Sequence, residues 1–282
     1  MKTLFFLTLL LTSHFAMTQS LINPRDAVRM VNQRGVVIVD CNPVSDFART
    51  HITNAVNLWH EDLYRPTGVD GILRSNEELA RILGSKGIAH NSIILLYDAG
   101  HQRFAGRIYW ILRYLGATDV RIINGGMGEW QRNRLPVSRT PRRIVPATFQ
   151  VTANAAIFAD MARVRRAATT PNMLLLDVRD AGEFRGTEGG AVRKGHIPGS
   201  INLPHQSVLN ANGTLKSREE LQQLFTAAGV TPNREIIVYC AASVRAGIVY
   251  FALRSILNYP NVRLYDGGFN EWEADAANPV RR

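Results

Sequence analysis

The chain has 282 residues, 46% hydrophobic and 20% charged, a balance that suits a soluble globular protein and excludes fibrous and disordered classes. It is too long for one small domain and comfortable for two. The formal charge of +10 comes mostly from arginines scattered along the chain, with a modest cluster at Arg139, Arg142 and Arg143. That pattern fits attraction for small anions and lacks the concentrated, aromatic-interleaved basic patch that nucleic-acid binding needs.

In chain order, Lys2 precedes an apolar run, Leu4–Leu11, broken only by Thr8. The run is too short to span a bilayer and has the length of a signal-peptide core. Residues 1–20 are therefore expected to be a signal peptide, with cleavage after Ala16 or Ser20, and the mature protein to be exported, periplasmic or secreted. A buried first helix is the alternative. No later apolar segment reaches membrane-spanning length, so no membrane span is expected.

Val36–Asp40 is an apolar strand-like run, followed by His51-Ile52, Ala55 and Val56-Asn57-Leu58. Ile93–Tyr97 is a second such run and leads into a loop starting at Asp98. A helix-like stretch follows, then Asn124-Gly125-Gly126 and Glu129-Trp130. The segment Val137–Phe149, rich in proline and arginine, reads as a linker. The same order then recurs. Leu174–Asp177 parallels the first strand, and His196-Ile197, Gly199 and Ile201-Asn202-Leu203 parallel the segment after it. Ile236–Tyr239 runs into a loop starting at Cys240, and Asp266-Gly267-Gly268 and Glu271-Trp272 close the half. From Ile93 onward the two halves match at a constant offset of 142 residues, which sets Asp98 opposite Cys240 and Arg103 opposite Arg245.

Two duplicated domains follow, 21–137 and 153–282, joined by a linker over 138–152. In the stretch 245–257, Ile248, Phe251, Ala252 and Ile256 recur at helical spacing. Apolar strands alternating with amphipathic helices predict an α/β fold in which each domain is a parallel sheet with helices on both faces. Chemistry in such sheets sits at the carboxyl ends of the strands, where Cys240 and Asp98 both fall.

The segment Tyr239–Gly247 carries the strongest chemical signal. A cysteine leaves a buried strand, a tight loop of small residues (Ala241, Ala242, Ser243, Val244) follows, and a helix begins near Arg245. Loop N–H groups and a helix start directed at the sulfur favour the thiolate, which makes Cys240 a nucleophile without a histidine base. The plainer reading, a small buried hydrophobe ending a strand, is outweighed by the loop, the arginine and the duplicated framework. Cys41, the other cysteine, ends its own strand in the other half and is expected neither to pair with Cys240 nor to act as a second nucleophile.

With Asp177-Val178-Arg179, Gly195–Ser200, the Cys240–Arg245 loop and Tyr265–Gly268 with Glu271-Trp272 in this order, the sequence resembles a tandem-domain rhodanese, a sulfurtransferase family. The resemblance covers nearly all of the chain after the first 20 residues. It implies that Cys240 attacks the outer sulfur of a small anionic donor such as thiosulfate, holds it as a persulfide and passes it to cyanide or a thiol. It implies no metal and no cofactor beyond that covalent persulfide, and the protein is expected to be a monomer. The first domain, with Asp98 in place of the cysteine, reads as a non-catalytic partner forming one wall of the cleft.

Around Cys240, the loop residues Ala241, Ala242, Ser243 and Val244 are expected to line the donor site. Arg245 would bind the donor anion through charge-assisted hydrogen bonds. Ser243 would either donate to the persulfide or cap the helix. Arg179 and Arg185 lie in the segment from which tandem members supply an anion-binding arginine; Glu183 stands where that arginine is expected, with Arg185 as its replacement. Asp177 and His196 read as loop anchors. The alternatives are 3-mercaptopyruvate as donor and a non-enzymatic persulfide carrier. A cysteine phosphatase is disfavoured, because its loop would need five residues between cysteine and arginine and this one has four.

Overall fold

The computed structural model describes residues 20–282; the apolar run Leu4–Leu11 and most of the expected signal peptide lie outside the described residues. Among the described residues twelve strands occur in chain order: β1 (Leu21–Ile22), β2 (Val36–Asp40), β3 (His51–Ile52), β4 (Ala55–Asn57), β5 (Ile93–Tyr97), β6 (Asp119–Ile123), β7 (Val137–Ser138), β8 (Phe158–Ala159), β9 (Met173–Asp177), β10 (Ile201–Asn202), β11 (Glu235–Tyr239) and β12 (Val262–Tyr265). The first half forms a sheet in the order β1-β6-β5-β2-β4 and the second a sheet in the order β10-β9-β11-β12-β8. Read from opposite ends the two orders are the same, and all pairings within them are parallel. The central strands β2, β5, β9 and β11 are buried almost from end to end, as continuous apolar runs covered on both faces must be.

The linker is not slack. Its start pairs as β7 with β3, and farther on Ala147 donates to Gly84 and Thr152 to Leu115, which straps it across the first domain. Each outer face has its own apolar cluster, anchored by Trp130 in one domain and Trp272 in the other. The indole N–H of each donates to a proline carbonyl, Pro136 at 3.0 Å and Pro279 at 2.8 Å, which gives the repeated tryptophan the same role in both domains. The inner faces share one cluster that runs through both domains, from Val39 and Leu96 to Val238 and Leu264.

That shared core is closed by helix Arg103–Tyr114 of the first domain packing on helix Ala246–Phe251 of the second. The crossing is made by Gly106 and Gly247, where a methyl group on either would collide with the backbone of the other helix. The second helix continues as a π-turn, Ala252–Ile256, a departure from the regular helix read over 245–257. Among the described residues, no helix is long and apolar enough to cross a membrane.

Candidate functional site

Cys240 follows β11 directly and is 1% exposed. Its carbonyl accepts from Phe269 N–H at 2.8 Å, and the Ala241 carbonyl accepts from Asn270 N–H at 3.1 Å, so the start of helix Gly268–Ala274 pins the loop. Gly268 makes this possible: its φ is +58°, and a side chain there would strike the Cys240 and Ala241 carbonyls. Among the described residues, the N–H groups of Ala241 to Arg245 go to no carbonyl or side-chain oxygen. They line the turn that begins at the sulfur.

The first domain shows what such a turn holds. Asp98, the counterpart of Cys240, turns its carboxylate into its own loop. One oxygen accepts from Gly100 N–H and Gln102 N–H at 2.9 Å each, the other from Phe104 N–H at 3.0 Å and Ala105 N–H at 3.2 Å. Four backbone donors thus surround one anion supplied by the chain itself. The two loops are equal in length but not identical in path: the left-handed residue is Gln102 in the first and Ser243 in the second, one position apart in the repeat.

Each loop is covered by the other domain. Gly71 packs against Ala242, and Gly213 packs against Gly100. Both pairs are related by the 142-residue offset, so the duplication extends to the interface. Behind Gly71, the fully buried Arg107 donates to the Gly71 carbonyl at 2.9 Å, to the Tyr64 hydroxyl at 3.2 Å and to Asp266 at 2.6 Å. Asp266 also accepts from Leu73 N–H at 3.0 Å. Burial works against the Arg107 charge, but Tyr64 and Asp266 outweigh it and hold the group above its ordinary pKa. This clamp fixes the first domain as one wall of the site.

The expected donor-binding residues separate. Arg245 flanks helix Ala246–Phe251 and is held by Glu183 through two bonds of 2.6 and 2.9 Å, with Asp180 at 3.3 Å. Burial opposes the charge, yet the Glu183 contact and the Cys240 charge raise its pKa. In return, Arg245 overcomes the burial of Glu183 and holds that carboxyl below its usual value. Ala241, Ala242 and Val244 are half-buried in the loop, and Ala242 carries the contact with Gly71.

Two expectations are corrected. The Ser243 hydroxyl donates to the Tyr265 carbonyl, so it neither caps the helix nor faces a donor; the side chain is fully buried with φ +56°. Arg179 is not a surface anion binder. It is buried, pairs with Asp177 at 2.6 Å, donates to the Gly195 carbonyl at 2.8 Å and lies 4.0 Å from the Phe269 ring centroid. A carboxylate and an arginine two residues apart at a strand end close on each other before any ligand can. Arg185 stands exposed at the end of helix Ala181–Arg185. His196 stacks on Phe184, ring centroids 3.7 Å apart, and Nδ1 meets the Phe184 carbonyl at 2.8 Å. Cys41 is buried and free, and burial pushes its thiol well up.

Several residues of the site were not singled out from sequence: Asp180, His205, Gly71, Tyr64 and Arg107. Two of them carried a sequence signal: Gly71 and Gly213 lie at the 142-residue offset of the later part of the repeat, and His60 and His205 lie at the 145-residue offset that also relates His51 to His196.

Comparison with known proteins places these features in context. The model of the rhodanese-like domain matches twice, over residues 23–133 and 160–275. A sulfur carrier protein of Thermus thermophilus, TtuD, is 32% identical over 239 residues, covering 79% of this chain and 82% of that one. A Mycobacterium bovis protein provisionally named a thiosulfate sulfurtransferase is 32% identical over 257 residues, covering 87% and 91%. Among solved structures, the 3-mercaptopyruvate sulfotransferase SseA of Escherichia coli superposes with a TM-score of 0.83 at 27% identity, covering 89% of this chain and 99% of SseA. The anaerobic ergothioneine biosynthesis enzyme of Chlorobium limicola shares the fold, with a TM-score of 0.85 at 22% identity over 94% of this chain and 71% of that one.

Proposed function

The chain belongs to the rhodanese-like family as a tandem-domain sulfurtransferase, and from that premise we propose that it takes a sulfane sulfur from thiosulfate onto Cys240 and passes it to cyanide or a thiol. The observation that carries this reading is the loop of uncommitted N–H groups starting at the Cys240 sulfur, whose counterpart in the first domain encloses the Asp98 carboxylate. In the first step the Cys240 thiolate attacks the outer sulfur of thiosulfate. The new S–S bond forms as the old one breaks, and the bonding pair leaves with sulfite. The persulfide keeps one negative charge on its terminal sulfur, which the loop N–H groups stabilise as the equivalent loop stabilises Asp98. Cyanide or a thiolate then attacks that terminal sulfur and the Cys240 thiolate is regenerated. No group beyond the covalent persulfide is required.

A second reading, a persulfide carrier that receives its sulfur from a partner protein, is favoured by the likeness to the Thermus sulfur carrier. Turnover decides between them. Purified protein is mixed with thiosulfate and cyanide and thiocyanate is measured, with Cys240→Ser alongside. Thiocyanate from the wild type and none from the variant supports the enzyme. Absence of turnover with thiosulfate sinks that donor and sends the assay to 3-mercaptopyruvate. Silence with both leaves the carrier.

A further inference from the structure

His205 opens a short 3₁₀ turn, His205–Val208, immediately after β10 and Pro204, and its backbone N–H is tied to the Val178 carbonyl at 3.0 Å. The turn packs on helix Ala246–Phe251, next to Arg245. Its neighbour Gln206 donates to Asp180 at 3.1 Å, the same carboxylate that touches Arg245. The groups whose charge acts on the ring are Arg245 and Asp180 from its own domain and Arg103 from the first, with His101 also near.

The first domain has a histidine at the equivalent place, His60, and the contrast is informative. His60 Nδ1 is partnered by the Tyr64 hydroxyl at 3.1 Å. In the second domain the segment between the histidine and the next helix is three residues shorter and contains no tyrosine. His205 is 5% exposed, and its Nδ1 is enclosed with no partner among the described residues. An enclosed N–H without an acceptor costs more than an enclosed lone pair, so the ring proton belongs on Nε2, which is not among the enclosed, unpartnered atoms. Burial, then the nearby Arg245 charge, lowers the imidazole pKa to about 4, which keeps the ring neutral.

We propose that His205 is a specificity-determining residue for the sulfur donor, its Nε2–H standing beside the Arg245 guanidinium to receive the anionic end of the molecule entering the cleft. Arg245 alone is a poor discriminator, because Glu183 and Asp180 already occupy much of its donor capacity. A fixed neutral N–H adds recognition of the anion without adding a charge that those carboxylates would also quench. This inference rests on Cys240 as the sulfur-bearing residue but not on thiosulfate as the donor.

The test compares wild type, His205→Leu and His205→Gln in two measurements. The first is the rate at which thiosulfate adds one sulfur to Cys240, followed by mass spectrometry. The second is the ratio of Cys240 alkylation rates by iodoacetate and iodoacetamide, mapped to the Cys240 peptide; in each the thiolate displaces iodide, and only the reagent charge differs. Loss of one hydrogen bond to a charged group should slow sulfur loading about tenfold or more in His205→Leu. The alkylation ratio should fall with it, while the iodoacetamide rate stays put. Retention of the donor in His205→Gln should restore both to within about threefold of wild type. Unchanged rates in His205→Leu, or equal slowing with both reagents, overturns the proposal. If thiosulfate does not load even the wild type, the donor assignment fails and the alkylation ratio decides the role of His205 alone.

Discussion

Replacing Asp98 by alanine tests the anion cradle of the first domain. The carboxylate accepts four backbone N–H groups; those of Gln102 and Ala105 are buried, and those of Gly100 and Phe104 lie nearer the surface. A hydrogen bond to a charged group contributes about 1.5–3 kcal/mol, and water can take over the two outer donors but not the inner two. The variant should therefore lose about 3–6 kcal/mol, read as a lower urea midpoint at unchanged slope. The emptied loop should also bind a small anion. At matched ionic strength, sulfate at a hundredfold excess over its dissociation constant should return about 2.7 kcal/mol to the variant and nothing specific to wild type. A loss below about 1 kcal/mol together with no preference for sulfate over chloride would refute the cradle. It would also remove the structural analogy on which stabilisation of a Cys240 persulfide rests.

Three further outcomes are expected. Arg179→Gln strands the buried Asp177 carboxylate and should cost about 3–5 kcal/mol in thermal or urea unfolding, yet leave the KM for the donor unchanged in the folded fraction; a raised KM at intact stability would return Arg179 to the binding site. Gly247→Ala forces a methyl group into the Gly106–Arg107 backbone, so it should cost about 1–3 kcal/mol by overpacking and speed alkylation of Cys240 as the domains part; unchanged unfolding and alkylation would mean the helix crossing is not tight. Glu183 titrates below its usual value in the folded protein, so its contribution to stability is complete above the ordinary carboxylate range near pH 4.5 and disappears as pH falls through the folded value. The Tm of wild type should accordingly fall more steeply than that of Glu183→Gln on acidification from pH 6 to pH 3; parallel curves would contradict the assignment.

The outline of the molecule was legible because duplication and periodicity are properties of the chain. Apolar runs such as Ile93–Tyr97 and Glu235–Tyr239 have only one stable use between covering helices, a buried parallel strand, and both form one. The constant offset paired Asp98 with Cys240 before any coordinates. The roles of the arginines were not legible. Loop spacing singled out Arg245, but nothing in the chain ranked Arg179 against Arg185 or showed what any of the three would pair with. Arg179 was captured by Asp177, two residues away, and Arg245 by Glu183, 62 residues away. Nor could the text of the sequence show that Ser243 spends its hydroxyl on Tyr265.

By itself, then, the sequence determined the tandem α/β architecture, the strand ends where chemistry could occur and the single cysteine placed in such a loop. Tertiary structure decided which polar groups remain available to a ligand. Among the described residues it left the Ala241–Arg245 N–H groups uncommitted, locked Arg179 into the core, set Arg245 between two carboxylates and enclosed His205 Nδ1 without a partner. The reason is physical: burial of an apolar strand follows from local composition, whereas a polar side chain satisfies its hydrogen bonds with whatever partner the packed fold brings within about 3 Å.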